Sequence, residues 1–155
     1  MLKQFLGAVW RHLPPWARYR LTRIGQKRFT VTTAVIITDD EGRVLLLEHV
    51  FRPDSGWGVP GGFVSKGEHP EEGLRREMRE EIGIELTDVK LLFTRGLGWL
   101  HQIEIYFLAK ASGIPEPRSF EIKRAEWFAF DDLPPELSKD QWQLIKRALT
   151  VSEKS

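Results

Sequence analysis

Three carboxylates and three apolar side chains share the short stretch from Leu74 to Ile82, and together they limit what the chain can become. Leu74, Met78 and Ile82 fall four residues apart, so on an α-helix they form one apolar line that has to be buried. Glu77, Glu80 and Glu81 stand at i, i+3 and i+4, so their carboxylates are expected on a single face turned away from that line. Pro70 suits the first helical position, Glu71 and Glu72 the positive end of the helix dipole, and Gly83 the stop. Neighbouring negative charges repel one another and destabilise a helix unless a cation compensates them. Arg75, Arg76 and Arg79 are interleaved with them, so one reading is a solvated helix laced with ion pairs. The other is a rigid cluster of hard oxygen ligands, which suits Mg²⁺, or alternatively Mn²⁺, and a substrate that brings its own phosphate oxygens.

The rest of the chain supplies a single domain's worth of structure. Its 155 residues are 41% hydrophobic and 29% charged, which is the make-up of an ordinary globular protein. There is no cysteine, which excludes disulfides, thiolate metal sites and cysteine nucleophiles, so any metal is held by oxygen or imidazole. Phe29 to Asp39 is rich in β-branched residues and reads as a strand, Asp39 to Gly42 as a turn, and Arg43 to Val50 as the returning strand. Asp54-Ser55-Gly56 reads as a loop, Trp57 to Val59 as a short strand, and Gly61-Gly62 as a glycine-rich turn. Further strands are expected over Asp88–Gly96, His101–Ala111 and Ala125–Phe130, with a loop at Pro115 and Pro117 and a closing helix over Lys139–Leu149. This order predicts an α/β (α+β) protein, a mixed β-sheet covered by helices.

Charge is unevenly placed. Lys3, Arg11, Arg18, Arg20, Arg23, Lys27 and Arg28 precede the first acidic residue, Asp39, although the net charge is only +1. Residues 1–28 are therefore set apart as a basic helical extension, and 29–155 as the domain proper. The extension has two readings. In one, it packs its Leu, Trp and Phe side chains on the domain while the cations stay solvated. In the other, it is a basic surface for anionic lipid, nucleic acid or substrate phosphates. The opening MLKQFLGAVW is too short to span a membrane and has no small-residue cleavage site, so the chain is expected to be cytoplasmic.

Gly62 to Ile84 reads GFVSKGEHPEEGLRREMREEIGI. This segment resembles the Nudix box, G-x5-E-x7-R-E-U-x-E-E-x-G-U with U aliphatic, and matches it at every defined position. Gly62 is the first glycine, Glu68 the isolated glutamate, Arg76-Glu77 and Glu80-Glu81 the acidic steps, and Gly83-Ile84 the close. The approach from Trp57 to Gly62 is similar to the family's lead-in. The run from Glu121 through Glu126 and Trp127 to Asp131-Asp132-Leu133-Pro134 resembles its later acidic loop and its "WF…eLP" segment. The chain departs at His69, where a capping Thr or Ser is common, and at Gly73, where Ala is usual.

The resemblance implies the Nudix fold, an α/β/α sandwich, and metal-dependent hydrolysis of a phosphoanhydride. It implies that Glu77, Glu80, Glu81 and Glu121, with the carbonyl of Gly61, bind Mg²⁺ or Mn²⁺. Gly62, Glu68 and Arg76 would hold the loop–helix geometry, with Arg76 paired to Glu68. Glu77, Glu81 and Glu121 stay open as the base that activates water. Phe51, Trp57, Trp99 and Tyr106 are candidates for stacking on a base, and Arg52 and Lys66 for meeting phosphates; core packing or solvation is the plain alternative for each.

The expected substrate is a small nucleotide, a nucleoside diphosphate linked to another group such as a nucleotide sugar or an ADP-ribose-like compound. The alternatives are a nucleoside triphosphate, oxidised ones included, an RNA 5′ end or cap, and a non-catalytic nucleotide-binding module. Nucleic acid is the less favoured partner, and a homodimer is suggested by analogy alone.

Overall fold

The computed structural model describes residues 2–52 and 56–152, so Asp54 and Ser55 of the expected loop lie outside the described residues. In chain order the elements are α1 (Leu2–His12), α2 (Pro15–Arg23), β1 (Thr30–Ile37), β2 (Val44–His49), β3 (Trp57–Gly58), β4 (Gly61–Phe63), α3 (Pro70–Ile82), β5 (Glu85–Leu97), β6 (Gln102–Ser112), β7 (Ile122–Phe128) and α4 (Lys139–Ser152). Single 3₁₀ turns cover Gly98–Leu100 and Phe130–Asp132.

The strands form a four-stranded sheet, β4-β1-β6-β5, and a three-stranded sheet, β3-β2-β7. β1 runs parallel to β6 and antiparallel to β4, so the larger sheet is mixed. A bridge between Thr38 and Val44 links the two sheets where β1 turns into β2. Both of these strands are apolar on both faces, because both faces are covered. Val35, Ile37, Leu45 and Leu47 pack with Leu74, Met78 and Ile82 of α3. Ile36, Val44 and Leu46 point the other way and pack with Leu144, Ile145 and Ala148 of α4. The layers are helix, sheet, helix, as the sequence leads one to expect.

Differences from the sequence reading cluster at strand ends. The Gly61-Gly62 pair is an edge strand rather than a turn, with Gly61 opposite Ala34 and Gly62 opposite Thr33. A Cβ at Gly61 would lie 2.2 Å from the carbonyl oxygen of Thr33, so the glycine permits a close backbone approach. β5 begins at Glu85 because its pairing with β6 starts there and survives a register shift between Thr87 and Lys90. Asp88, with φ of 50°, sits in that irregularity, which is why it reads as a strand boundary. β7 starts at Ile122, whose pairing with His49 carries the charged Lys123 and Arg124 into the strand.

The N-terminal segment departs most. Packing of its apolar residues on the domain does not occur: neither α1 nor α2 has a buried residue. Leu2, Phe5, Leu6, Val9, Trp10, Trp16 and Tyr19 are all exposed. α3 and α4 supply the helical residues of the two core clusters, and neither cluster includes a residue of α1 or α2.

Candidate active site

α3 ends as its sequence dictates. Gly83 takes the left-handed conformation, φ 70°, and its N–H bonds to the carbonyl of Met78. At the other end the Glu72 side chain accepts from the His69 N–H at 3.1 Å, so the helix start is capped without Ser or Thr.

The acidic face is not the single outward stripe expected. At about 100° per residue, Glu81 lies only about 20° around the helix from Leu74. It is consequently buried, 8% exposed, while Glu80 keeps 61% of its side chain in solvent. Arg76 occupies the space between the other acids. It donates to both oxygens of Glu68 at 3.0 and 3.1 Å, to Glu77 at 2.9 Å, to Glu80 at 3.2 Å and to the carbonyl of Phe63 at 3.1 Å. Glu68 also accepts from the Ser65 N–H at 2.9 Å, and the Arg76 guanidinium holds its carboxyl below the usual range. The glycines make this possible. A Cβ at Gly62 would lie 2.3 Å from the Glu77 carboxyl carbon, and one at Gly73 would lie 2.9 Å from a carboxylate oxygen of Glu68.

Glu81 is electrostatically exceptional. Burial pushes its carboxyl up to about 8, and the negative charges of Glu77, Glu121 and Glu80 push the same way; only Arg52 opposes them. Its Oε2 is buried without a hydrogen-bond partner. Glu121 reaches it because the preceding loop is tied to the end of α3. The Glu116 N–H donates to the Ile82 carbonyl, and the Arg118 N–H to that of Glu81 at 2.8 Å. The Val50 N–H then fixes the Glu121 carbonyl at 2.8 Å. Of the expected acidic loop only Glu121 lies in a turn; Glu126 and Trp127 belong to β7.

The expected convergence of carboxylates is not present as drawn. Among the described residues no group of three His, Asp or Glu side chains is close enough to share one ion. Arg76 holds Glu77 and Glu80 while Glu81 turns inward. The donor set nevertheless fits a hard divalent cation: oxygen donors only, one of the carboxylates buried, unpartnered at Oε2 and repelled by three neighbours.

Beside Gly61 and Gly62 opens a cleft of about 200 Å³, lined among others by Thr32, Arg52, Gln102, Glu104, Tyr106 and Gln141. A larger recess of about 480 Å³ around Phe130, Pro134 and Trp142 contains neither Arg52 nor the Gly61-Gly62 strand that faces α3, so the smaller cleft is the candidate site. Its polar floor is a connected network. Glu104 accepts from the Tyr106 hydroxyl at 2.9 Å, from Arg95 and from Gln102 at 3.2 Å, and Gln102 also donates to the Thr32 hydroxyl at 3.0 Å. Arg95 bonds both oxygens of Asp140, at 2.8 and 2.9 Å, which pins the first turn of α4 to the sheet. Gln141, from that turn, accepts from the Val59 N–H at 3.0 Å.

Arg52 is the cation of this cleft. Burial draws its guanidinium below its ordinary range, countered by Glu81, Tyr106 and Glu104. Its Nη1 is buried without a partner. His49 nearby is neutral: burial, then the charge of Arg52, lowers it to about 4.

Of the proposed substrate contacts, Arg52 and Tyr106 line the cleft. Trp57 does not; it is 7% exposed and packed edge-on against Phe128 in the core. Phe51 is exposed and meets Phe120 at 6.1 Å. Trp99 lies exposed at the β5–β6 connection and Lys66 on the loop before α3, and neither lines the cleft. Sequence reasoning missed Thr32, Gln102, Glu104 and Gln141. The available signal was the alternation of β6, whose even positions 102, 104 and 106 are polar or amphipathic between Ile103, Ile105 and Phe107.

A family model described as NUDIX domain matches residues 28–148. The NAD-capped RNA hydrolase NudC of Pseudomonas aeruginosa is 31% identical over 109 residues, 70% of this chain but only 39% of that protein's length. A MutT-like protein of Streptomyces ambofaciens is 33% identical over 116 residues, covering 71% of this chain and 70% of that protein. The crystal structure of a MutT NUDIX hydrolase from Burkholderia pseudomallei superposes with a TM-score of 0.69 at 31% identity, over 78% of this chain and 98% of that one.

Proposed function

The chain belongs to the Nudix hydrolase family, and on that premise we propose that it hydrolyses a phosphoanhydride bond in a nucleoside-diphosphate-linked substrate, a nucleotide sugar or an ADP-ribose-like compound. The observation that carries the reading is a pair of buried, unpartnered polar atoms on residues that interact electrostatically: Oε2 of Glu81 on α3 and Nη1 of Arg52, which lines the cleft. Neither is satisfied within the protein. A diphosphate together with a divalent cation would complete both, the cation at the carboxylates and a phosphate oxygen at the guanidinium.

Nudix hydrolases generally use divalent metal ions, and Glu77, Glu80, Glu81 and Glu121, with the carbonyl of Gly61, are the groups that would hold one here. When bound, the ion supplies neutralisation of the diphosphate charge and an acidified water. The protein's own part is positional and protonic. Arg76 and Glu68 keep the edge strand β4 fixed on α3. Arg52 orients the diphosphate for in-line attack by water on phosphorus, breaking the P–O bond to the leaving phosphate. Glu81, Glu77 or Glu121 takes the proton of that water. The Thr32–Gln102–Glu104 network, with Gln141, presents hydrogen-bonding groups to the rest of the nucleotide.

A second reading, hydrolysis at an RNA 5′ end or cap, is favoured by the name of the NudC relative, whose stated substrate is NAD-capped RNA. Hydrolysis assays over nucleoside triphosphates, nucleotide sugars, ADP-ribose and capped RNA, with Mg²⁺ and with Mn²⁺, distinguish the two. Cleavage of ADP-ribose or a nucleotide sugar that disappears in Glu81→Gln and weakens in Arg52→Gln is the expected result. Cleavage confined to triphosphates or to RNA ends would overturn the substrate assignment, and metal-dependent turnover unaffected by Glu81→Gln would overturn the site.

A further inference from the structure

α1 is a helix with an apolar face and nothing to put it against. Leu2, Phe5, Leu6, Val9 and Trp10 follow the i, i+3, i+4, i+7, i+8 pattern, which places them on one side, and all five are exposed. Arg11 lies opposite, and Lys3 at the margin of the apolar face. In α2 and the residues after it, Trp16, Tyr19, Leu21 and Ile24 are exposed as well. Every charged residue of this segment is positive: Lys3, Arg11, Arg18, Arg20, Arg23, Lys27 and Arg28. Arg23, Gln26, Lys27, Arg28 and Phe29 line an open recess of about 400 Å³ with no acidic side chain in it.

We infer that residues 2–29 dock the protein on the surface of an anionic phospholipid bilayer, with α1 lying in the interface plane. The row of Leu, Phe, Val and Trp would enter the boundary between headgroups and acyl chains, and the lysines and arginines would meet lipid phosphates. Trp10, Trp16 and Tyr19 are residue types that favour that boundary. No helix among the described residues is long and apolar enough to cross a membrane, so the contact is one of lying on the surface.

Two other occupants fit less well. RNA would use the cations and leave Leu2, Leu6 and Val9 in water, since nucleic acid buries aromatic faces and not aliphatic rows. A second copy of the chain would cover the row but bring the same uncompensated positive charges together.

Sedimentation of the full chain with vesicles tests the inference. It should pellet with vesicles of phosphatidylcholine mixed with phosphatidylglycerol and stay in solution with phosphatidylcholine alone. Leu6→Glu combined with Val9→Glu should lower partitioning by about tenfold or more, since binding scales with the apolar area inserted. Replacing Arg20, Arg23 and Lys27 with Gln should weaken binding and lessen its salt dependence. Both variants should keep the wild-type unfolding temperature, because the altered side chains are exposed in the free protein. Absence of binding to anionic vesicles, or binding indifferent to Leu6→Glu/Val9→Glu, would overturn the inference. So would retention of a 5′-phosphorylated RNA in place of vesicles, or a dimer that the double variant dissociates without any effect on lipid.

Discussion

α1 and α3 are both amphipathic helices, and the sequence announces both by the same periodicity, yet they stand in opposite physical situations. α3 buries Leu74, Met78 and Ile82 completely, has a capped start and a left-handed glycine stop, and Arg76, one of its three arginines, binds three glutamates. α1 buries nothing. Periodicity reports that a face has to be covered; it does not say by what. For α3 the cover is the sheet, and because the burial is tight, one carboxylate is carried inward with it. That displaced glutamate, Glu81, is the most perturbed acid of the site.

The contrast can be broken or sharpened by measurement. Glu81→Gln should lower the hydrolytic rate by about 10²–10⁴-fold, as loss of a positioned acid–base group does, with the fold kept; steady-state assay and circular dichroism check the two parts. Leu74→Ala should cost about 2–5 kcal/mol in chemical denaturation, since a fully buried leucine leaves a cavity. Gly83→Ala should cost about 1 kcal/mol or more, because φ of 70° is strained for any other residue and the new Cβ would also press on Arg118. Leu6→Ala in α1 should change stability by less than about 0.5 kcal/mol in the absence of lipid. A large loss there would erase the difference between the two helices.

pH separates them too. The folded-state value of Glu81, about 8, lies above its ordinary value of 4.5, so the folded protein binds this proton more tightly than the unfolded chain does. The associated stability is therefore full below about pH 4.5 and is lost as pH rises through 8. In chelator, urea midpoints should fall over that window, added Mg²⁺ should lessen the fall, and Glu81→Gln should flatten it. His49 has the opposite sign: its folded value of about 4 lies below 6.5, so its share is lost as pH falls through that range. A midpoint that rises between neutral and alkaline pH in wild type would refute the burial of an unpartnered Glu81.

Much of this was legible beforehand. Pro70, Gly83 and the spacing of Leu74, Met78 and Ile82 define α3 to the residue, because caps and periodicity are local. Glu68 and Arg76 are eight apart, and their ion pair follows from the motif they resemble. Glu104, Gln102 and Gln141 were not legible as site residues, since each looks like an ordinary outward polar residue until β6 is laid beside β1 and α4 is pinned by Arg95. Trp57 shows the converse: an aromatic placed by sequence at the lead-in to the motif is a core residue, because Phe128 packs edge-on against its ring and Arg124 lies over it.

The sequence by itself determined the helix that carries the acids, the glycines that let Glu77 and Glu68 approach, the family, and the isolation of positive charge in residues 1–28. Each of these depends on neighbours within a few turns or on a short contiguous pattern. Tertiary packing set which glutamate is buried, that Arg52 feels the charges of Glu81 and Glu104, and that α1 is left exposed. Those outcomes depend on which helices pack on the sheets and on what surrounds each side chain there, a property of the packed whole.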